Sequence, residues 1–159
     1  MTEEIRYLGN FAIDDQTKEQ CAALPILIEE TRPAVMDGIY TDLLPEQVGF
    51  FKQQIDSVSF DHLPQQSCLY QIINQMPGRM LPWHIDKFES FRNSGGYTSV
   101  NTHLFFLSDW IPGQVFGSTN DTFVKWSAGD CVTWDYLAWH YLSNASLTPI
   151  LLLQVLEGM

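Results

Sequence analysis

His84 and Asp86 stand two residues apart in Pro82-Trp83-His84-Ile85-Asp86. On a strand, or just past one, side chains two apart share a face. One imidazole nitrogen and one carboxylate oxygen can then meet at a single point. A third ligand must come from elsewhere in the chain, and His140, at the start of a predicted strand, is the candidate. Two histidines and a carboxylate on one face of an octahedron leave three positions open, which suits non-haem Fe(II). Zinc takes four closed ligands in structural sites, or three and a water in catalytic ones. The ligand set alone leaves zinc and manganese open.

The elements that must position these residues divide into a helical front portion, residues 1–66, and a strand-rich remainder, 67–159, in one expected domain. Ile5 to Phe11 reads as an opening strand, and Asp14-Asp15-Gln16-Thr17 as a helix start with acidic groups near the positive end of the dipole. Pro45 suits a first helical position, and Val48, Phe50, Phe51, Ile55 and Val58 recur at three- and four-residue spacings, which predicts a second helix. From Ser67 onward short β-prone runs follow one another. They are Leu69 to Ile73, Thr98 to Leu107, Val115-Phe116, Thr122 to Trp126, Cys131 to Trp134, His140 to Ser143 and Ile150 to Leu156. Glycines and prolines punctuate them, which favours a sandwich or barrel over alternating β/α units. Phe88 to Tyr97, with Ser94-Gly95-Gly96, reads as a loop beside the ligands. The expected fold is mainly β, a barrel with N-terminal helices packed outside it.

The sequence around His140 carries more than spacing. Trp126-Ser127-Ala128-Gly129-Asp130 forms a Gly-Asp turn ahead of the strand Cys131 to Trp134, then His140 and Asn144. With Pro77-Gly78 upstream of His84 and Thr102-His103-Leu104 between the ligands, this order resembles the 2-oxoglutarate- and Fe(II)-dependent oxygenases. The likeness is nearest to their aspartyl/asparaginyl β-hydroxylase-like branch and covers about 69–155. It implies a double-stranded β-helix (a jelly-roll, cupin-like barrel) and an oxidative mechanism that turns 2-oxoglutarate into succinate while hydroxylating a substrate. It also implies that His84, Asp86 and His140 hold the iron and that His103 contacts the co-substrate. Asp86 favours hydroxylation over halogenation, because halogenating members carry a small residue there. Asn101, His103 and Phe105 alternate onto one strand face, where the alternative role for His103 is to bridge buried backbone groups.

One departure from the family pattern is plain. Members place an arginine on the strand about ten residues after the second metal histidine, to grip the far carboxylate of 2-oxoglutarate. No basic residue follows Lys125 here, and the arginine that the nearest branch carries two residues before His103 is Asn101. A buried carboxylate without a partner is costly. Arg79, Lys87, Arg92 and Lys125 are the cations of the strand-rich region. Arg79 and Lys87 flank the ligand strand, and Tyr70 offers a hydroxyl nearby. Trp83, Trp134 and Trp139 surround the ligands in sequence and are candidates for lining a substrate pocket; core packing is their other reading.

The bulk properties narrow the remaining classes. The formal charge is −11, which repels phosphate backbones, so no nucleic-acid partner is expected. The three cysteines lack ligand-like spacing and fit a reduced, cytoplasmic protein. The acidic start Met1-Thr2-Glu3-Glu4 is unlike a signal peptide, and no apolar run is long enough to cross a bilayer. A small-molecule or peptide substrate is expected, while no residue fixes its identity or the oligomeric state. Two other functions fit the same residues. One is a cupin-like metal enzyme without 2-oxoglutarate, favoured by the missing arginine. The other is a non-catalytic barrel with a metal clip, disfavoured by a complete ligand set.

Overall fold

The computed structural model describes residues 4–24, 48–58 and 67–159. Among these residues, ten strands and two helices follow in the order β1 (Arg6–Asn10), α1 (Asp15–Ala22), β2 (Phe50–Ile55), β3 (Cys68–Gln75), β4 (Arg79–His84), α2 (Glu89–Gly95), β5 (Val100–Phe106), β6 (Gln114–Ser118), β7 (Thr122–Phe123), β8 (Asp130–Asp135), β9 (His140–Asn144) and β10 (Ile150–Gly158). They form a major sheet in the order β1-β8-β5-β10-β3-β2 and a minor sheet in the order β4-β9-β6-β7. All the pairings are antiparallel.

Strand alternation sorts the apolar residues into two cores. Ile73, Leu104, Phe106, Trp134 and Leu152 of the major sheet meet Leu81, Phe116 and Leu142 of the minor sheet between the layers. Tyr70, Ile72, Phe105, Cys131, Leu153 and Val155 point the other way, where α1 covers them with Cys21 and Leu24 adjoining. The Asp14 side chain accepts from the Thr17 N–H at 2.7 Å and caps α1, as the acidic helix start predicts. Both faces of the major sheet's central strands β5 and β10 are therefore buried.

The Gly-Asp turn before β8 has a physical reason. Gly129 has φ +91, its N–H donates to Phe106 O at 2.7 Å, and its carbonyl accepts from Phe11 N at 2.9 Å. A Cβ there would lie 2.4 Å from Phe11 O. Only glycine lets the turn stitch β5 to the segment after β1. Asn144, at the end of β9, donates to Gln75 O and Thr148 O at 3.0 and 2.9 Å and accepts from Ser146, so it ties the minor sheet to β3.

Two expectations are corrected. The helix expected from the Val48, Phe51, Ile55 and Val58 spacing is a strand: Phe50–Ile55 pairs along β3, from Phe50 opposite Gln75 to Ile55 opposite Tyr70. Its apolar residues serve both cores, Phe50 inside and Phe51 and Ile55 outside, so a two-sided strand imitates a helical stripe. Pro45 lies outside the described residues. The front portion is thus not simply helical, because β1 and β2 are the edge strands of the major sheet. The expected loop from Phe88 to Tyr97 contains α2, closed by Gly96 in the left-handed region.

Candidate metal centre

His84 ends β4 and His140 begins β9, and the two are direct cross-strand partners. A bulge makes this possible. Leu81 pairs with Leu142, and the next pair is His84 with His140, so β4 carries one residue more than β9 between them. Pro82, which has no N–H to give the ladder, falls in that bulge. The extra residue turns both Leu81 and His84 inward, although they are three apart. Asp86 lies just past the strand, and its carboxylate turns back to the histidines. Its oxygens stand 3.7 Å from His84 Nε2 and 3.2 Å from His140 Nε2.

Each histidine is held by its other nitrogen. His84 Nδ1 lies 2.7 Å from Pro82 O, and His140 Nδ1 lies 2.8 Å from Ala138 O. A carbonyl only accepts, so both Nδ1 atoms carry the proton and both Nε2 lone pairs face the carboxylate. Donor atoms of all three residues lie within 4.8 Å of one another. Three acceptors converging in a buried place require a cation between them, and the set fits a divalent metal. Burial, and then the neighbouring His140, push the His84 imidazole down to about 4, against the pull of Asp86. Against burial, the two neighbouring imidazoles hold the Asp86 carboxyl below the usual range. Neutral imidazole beside ionised carboxylate is the protonation state a metal needs.

The ligands open into a cleft between the sheets. Trp134, Phe116 and Leu104 form an apolar wall, Phe50 closes the β2 side, and Gln154 supplies a polar group from β10. Trp134 is 1% exposed, its ring centroid is 5.1 Å from that of His140, and its Nε1 has no partner. A buried indole N–H without an acceptor is a place for a ligand oxygen.

The other residues singled out by sequence fall elsewhere. His103 is in phase with Phe105, while Leu104 and Phe106 line the interior, so His103 points to the outer face of the major sheet. There it meets Glu157 Oε2 at 3.0 Å and Asn101 Nδ2 at 3.3 Å. Asn101 and Tyr70 share that face, and the sheet separates all three from the cleft. The alternation on β5 reads correctly from sequence, but its polar face is turned outward. Arg79 begins β4, roughly 15 Å along the strand from His84. Lys87 is exposed and lies outside the cleft lining. Trp83 rests on Tyr141 outside the barrel, ring centroids 4.6 Å apart, and Trp139 is exposed there too. Of the three tryptophans, only Trp134 lines the cleft.

Sequence reasoning missed Phe50 and Gln154. Phe50 was hidden by the helical reading of its segment. Gln154 leaves a detectable signal, since it interrupts Ile150 to Leu156, an otherwise apolar run.

Fold and site together define a cupin-like double-stranded β-helix with a two-histidine, one-carboxylate cluster between its sheets. No protein-family model matches the sequence, and no curated protein does. Solved structures match the fold. A prolyl-4-hydroxylase from Pseudomonas putida superposes with a TM-score of 0.61 at 14% identity, covering 98% of this chain and 92% of that one. A sugar phosphate isomerase of the cupin superfamily from Silicibacter pomeroyi gives a TM-score of 0.50 at 13% identity, over 82% and 71% of the two chains. At such identities the likeness establishes the fold alone. No helix among the described residues is long and apolar enough to cross a membrane.

Proposed function

We propose that this chain is an Fe(II)- and 2-oxoglutarate-dependent oxygenase that hydroxylates a small-molecule or peptide substrate. The observation that carries the reading is the facial arrangement of His84, Asp86 and His140, with both histidines fixed by backbone carbonyls and the free side opening into the cleft. Fe(II), when bound, supplies a redox-active Lewis acid with positions left for exogenous ligands. The chain's own contribution is to fix the donors and shape what approaches them. Phe116, Leu104 and Trp134 keep water from the open side, and the Trp134 N–H offers a hydrogen bond to an incoming oxygen. The prolyl-4-hydroxylase that spans nearly the whole chain makes the reading consistent with the fold.

A cupin-like metal enzyme that does not use 2-oxoglutarate is the second reading. Ile150, Leu152 and Gln154, the inward positions of β10, carry no charge where the oxygenase family carries its arginine. Anaerobic titration of Fe(II) with and without 2-oxoglutarate separates the two. The oxygenase reading expects a weak visible charge-transfer band only when both are present, lost in Asp86→Ala, and slow release of succinate once oxygen is admitted. Iron binding with neither band nor succinate would leave the second reading in its place.

A further inference from the structure

The missing arginine poses a question that β2 answers. Phe50 lines the cleft, and strand alternation puts Lys52 on the same inward side, while Phe51 and Ile55 join the outer core. Cross-strand register places Lys52 opposite Ile73 of β3, and Ile73 opposite Leu152 of β10. Ile73 and Leu152 both line the cleft, and Leu152 is among the inward positions of the strand where an arginine is expected. Lys52 thus occupies that lateral row two strands away, about 10 Å, at the open edge of the major sheet. A lysine stem of about 6 Å spans over half of that distance, so the ammonium, exposed and outside the residues that line the cleft, can swing toward its open edge.

The charge is available. Lys52 is exposed and makes no ion pair among the described residues. Four of the other described cations are occupied or misplaced. Lys18 pairs with Asp15, and Arg92 donates to Lys87 O while lying over the Tyr136 ring. Arg79 sits at the far end of β4, and Lys125 follows the short β7. Beside Lys52 the inward face is unusually polar: Gln54 pairs with Gln71, and Gln71 with Gln154 in the cleft wall. An amide row beside a cation is what a carboxylate requires, since it accepts several hydrogen bonds.

We infer that Lys52, backed by Gln154, anchors the distal carboxylate of a 2-oxo dicarboxylic acid chelated at the metal centre, an inference that rests on the oxygenase reading. Lysine from an edge strand thereby replaces the arginine that the resemblance leads one to expect on β10.

The test is anaerobic calorimetry on the Fe(II)-loaded protein with two ligands: 2-oxoglutarate, and 2-oxopentanoate, which has the same chain without the distal carboxylate. The parent protein should prefer 2-oxoglutarate. Lys52→Met should weaken 2-oxoglutarate by about 10- to 100-fold, the loss of one charge-assisted contact, and leave 2-oxopentanoate and iron affinity unchanged. Lys52→Arg should recover most of the loss. Unaltered 2-oxoglutarate binding in Lys52→Met would overturn the inference and leave the oxygenase reading standing. Equal weakening of both ligands, or of iron, would also overturn it, since that marks a structural effect. A parent protein without preference for 2-oxoglutarate would sink the oxygenase reading and the inference with it. Lys52→Gln, which keeps a polar edge strand, is read in the same way if the methionine variant does not fold.

Discussion

Asp86 stands between two imidazoles whose outer nitrogens already donate to backbone carbonyls, so its carboxylate is the only negative charge in the cluster. Asp86→Ala should lower Fe(II) affinity by at least ~100-fold, above the 10–100-fold that outer-shell partners are worth. Competition with a chromophoric chelator measures this, and near-parental affinity would remove Asp86 from the ligand set. His103 gives the opposite expectation. It lies on the outer face with Glu157, so His103→Ala should leave iron and 2-oxoglutarate affinities within about twofold of the parent, inside the usual scatter for a residue without contact. A tenfold loss of 2-oxoglutarate affinity would mean that this side chain reaches the cleft. The two histidine roles look alike in sequence; the sheet between them makes them different.

At the scale of elements, the site depends on how strands are stitched together. The β4 bulge at Pro82 is what turns His84 inward beside His140, and the sequence shows the proline without showing that a residue is gained there. The Gly129 turn sets where β8 begins, and with it Trp134 in the wall of the cleft. Gly129→Ala places a Cβ against the Phe11 carbonyl at a left-handed φ. The expected cost is about 2 kcal/mol, or roughly 4–8 °C in Tm for a chain of this size. Thermal melts check it, and an unchanged Tm would show that the turn relaxes freely. Gly-Asp was legible as a motif; the reason for glycine lies in a backbone over a hundred residues away in sequence.

Across the whole molecule, two thiols report on the outer core. Cys21 on α1 and Cys131 on β8 are fully buried, and burial pushes both up to about 12 from an ordinary 9. The folded chain therefore keeps protons that the unfolded chain releases between those values. Stability contributed by the neutral thiols is complete below about pH 9 and is lost as pH rises toward 12, by up to about 1.4 kcal/mol per pH unit for each group. Tm should fall between pH 8.5 and 10.5, and less steeply in the Cys21→Ala, Cys131→Ala double variant. Equal slopes in parent and variant would assign the alkaline loss to other groups.

From the sequence alone came the candidate donor residues, the order of most of the strands and many of the turns that separate them. Those follow from local chemistry: which side chains can ligate, which backbones cannot continue a ladder, and which residues prefer pleated surfaces. What only the tertiary structure decided was sidedness. Along β5 and β10 almost every residue is buried, because the minor sheet covers one face and α1 and its neighbours the other. Alternation then tells which residues share a face, but no polar face marks the outside. So His103 and Tyr70 turn away from the cleft, while Lys52, in a run whose apolar residues serve two cores, falls on the side of its strand that Phe50 shares.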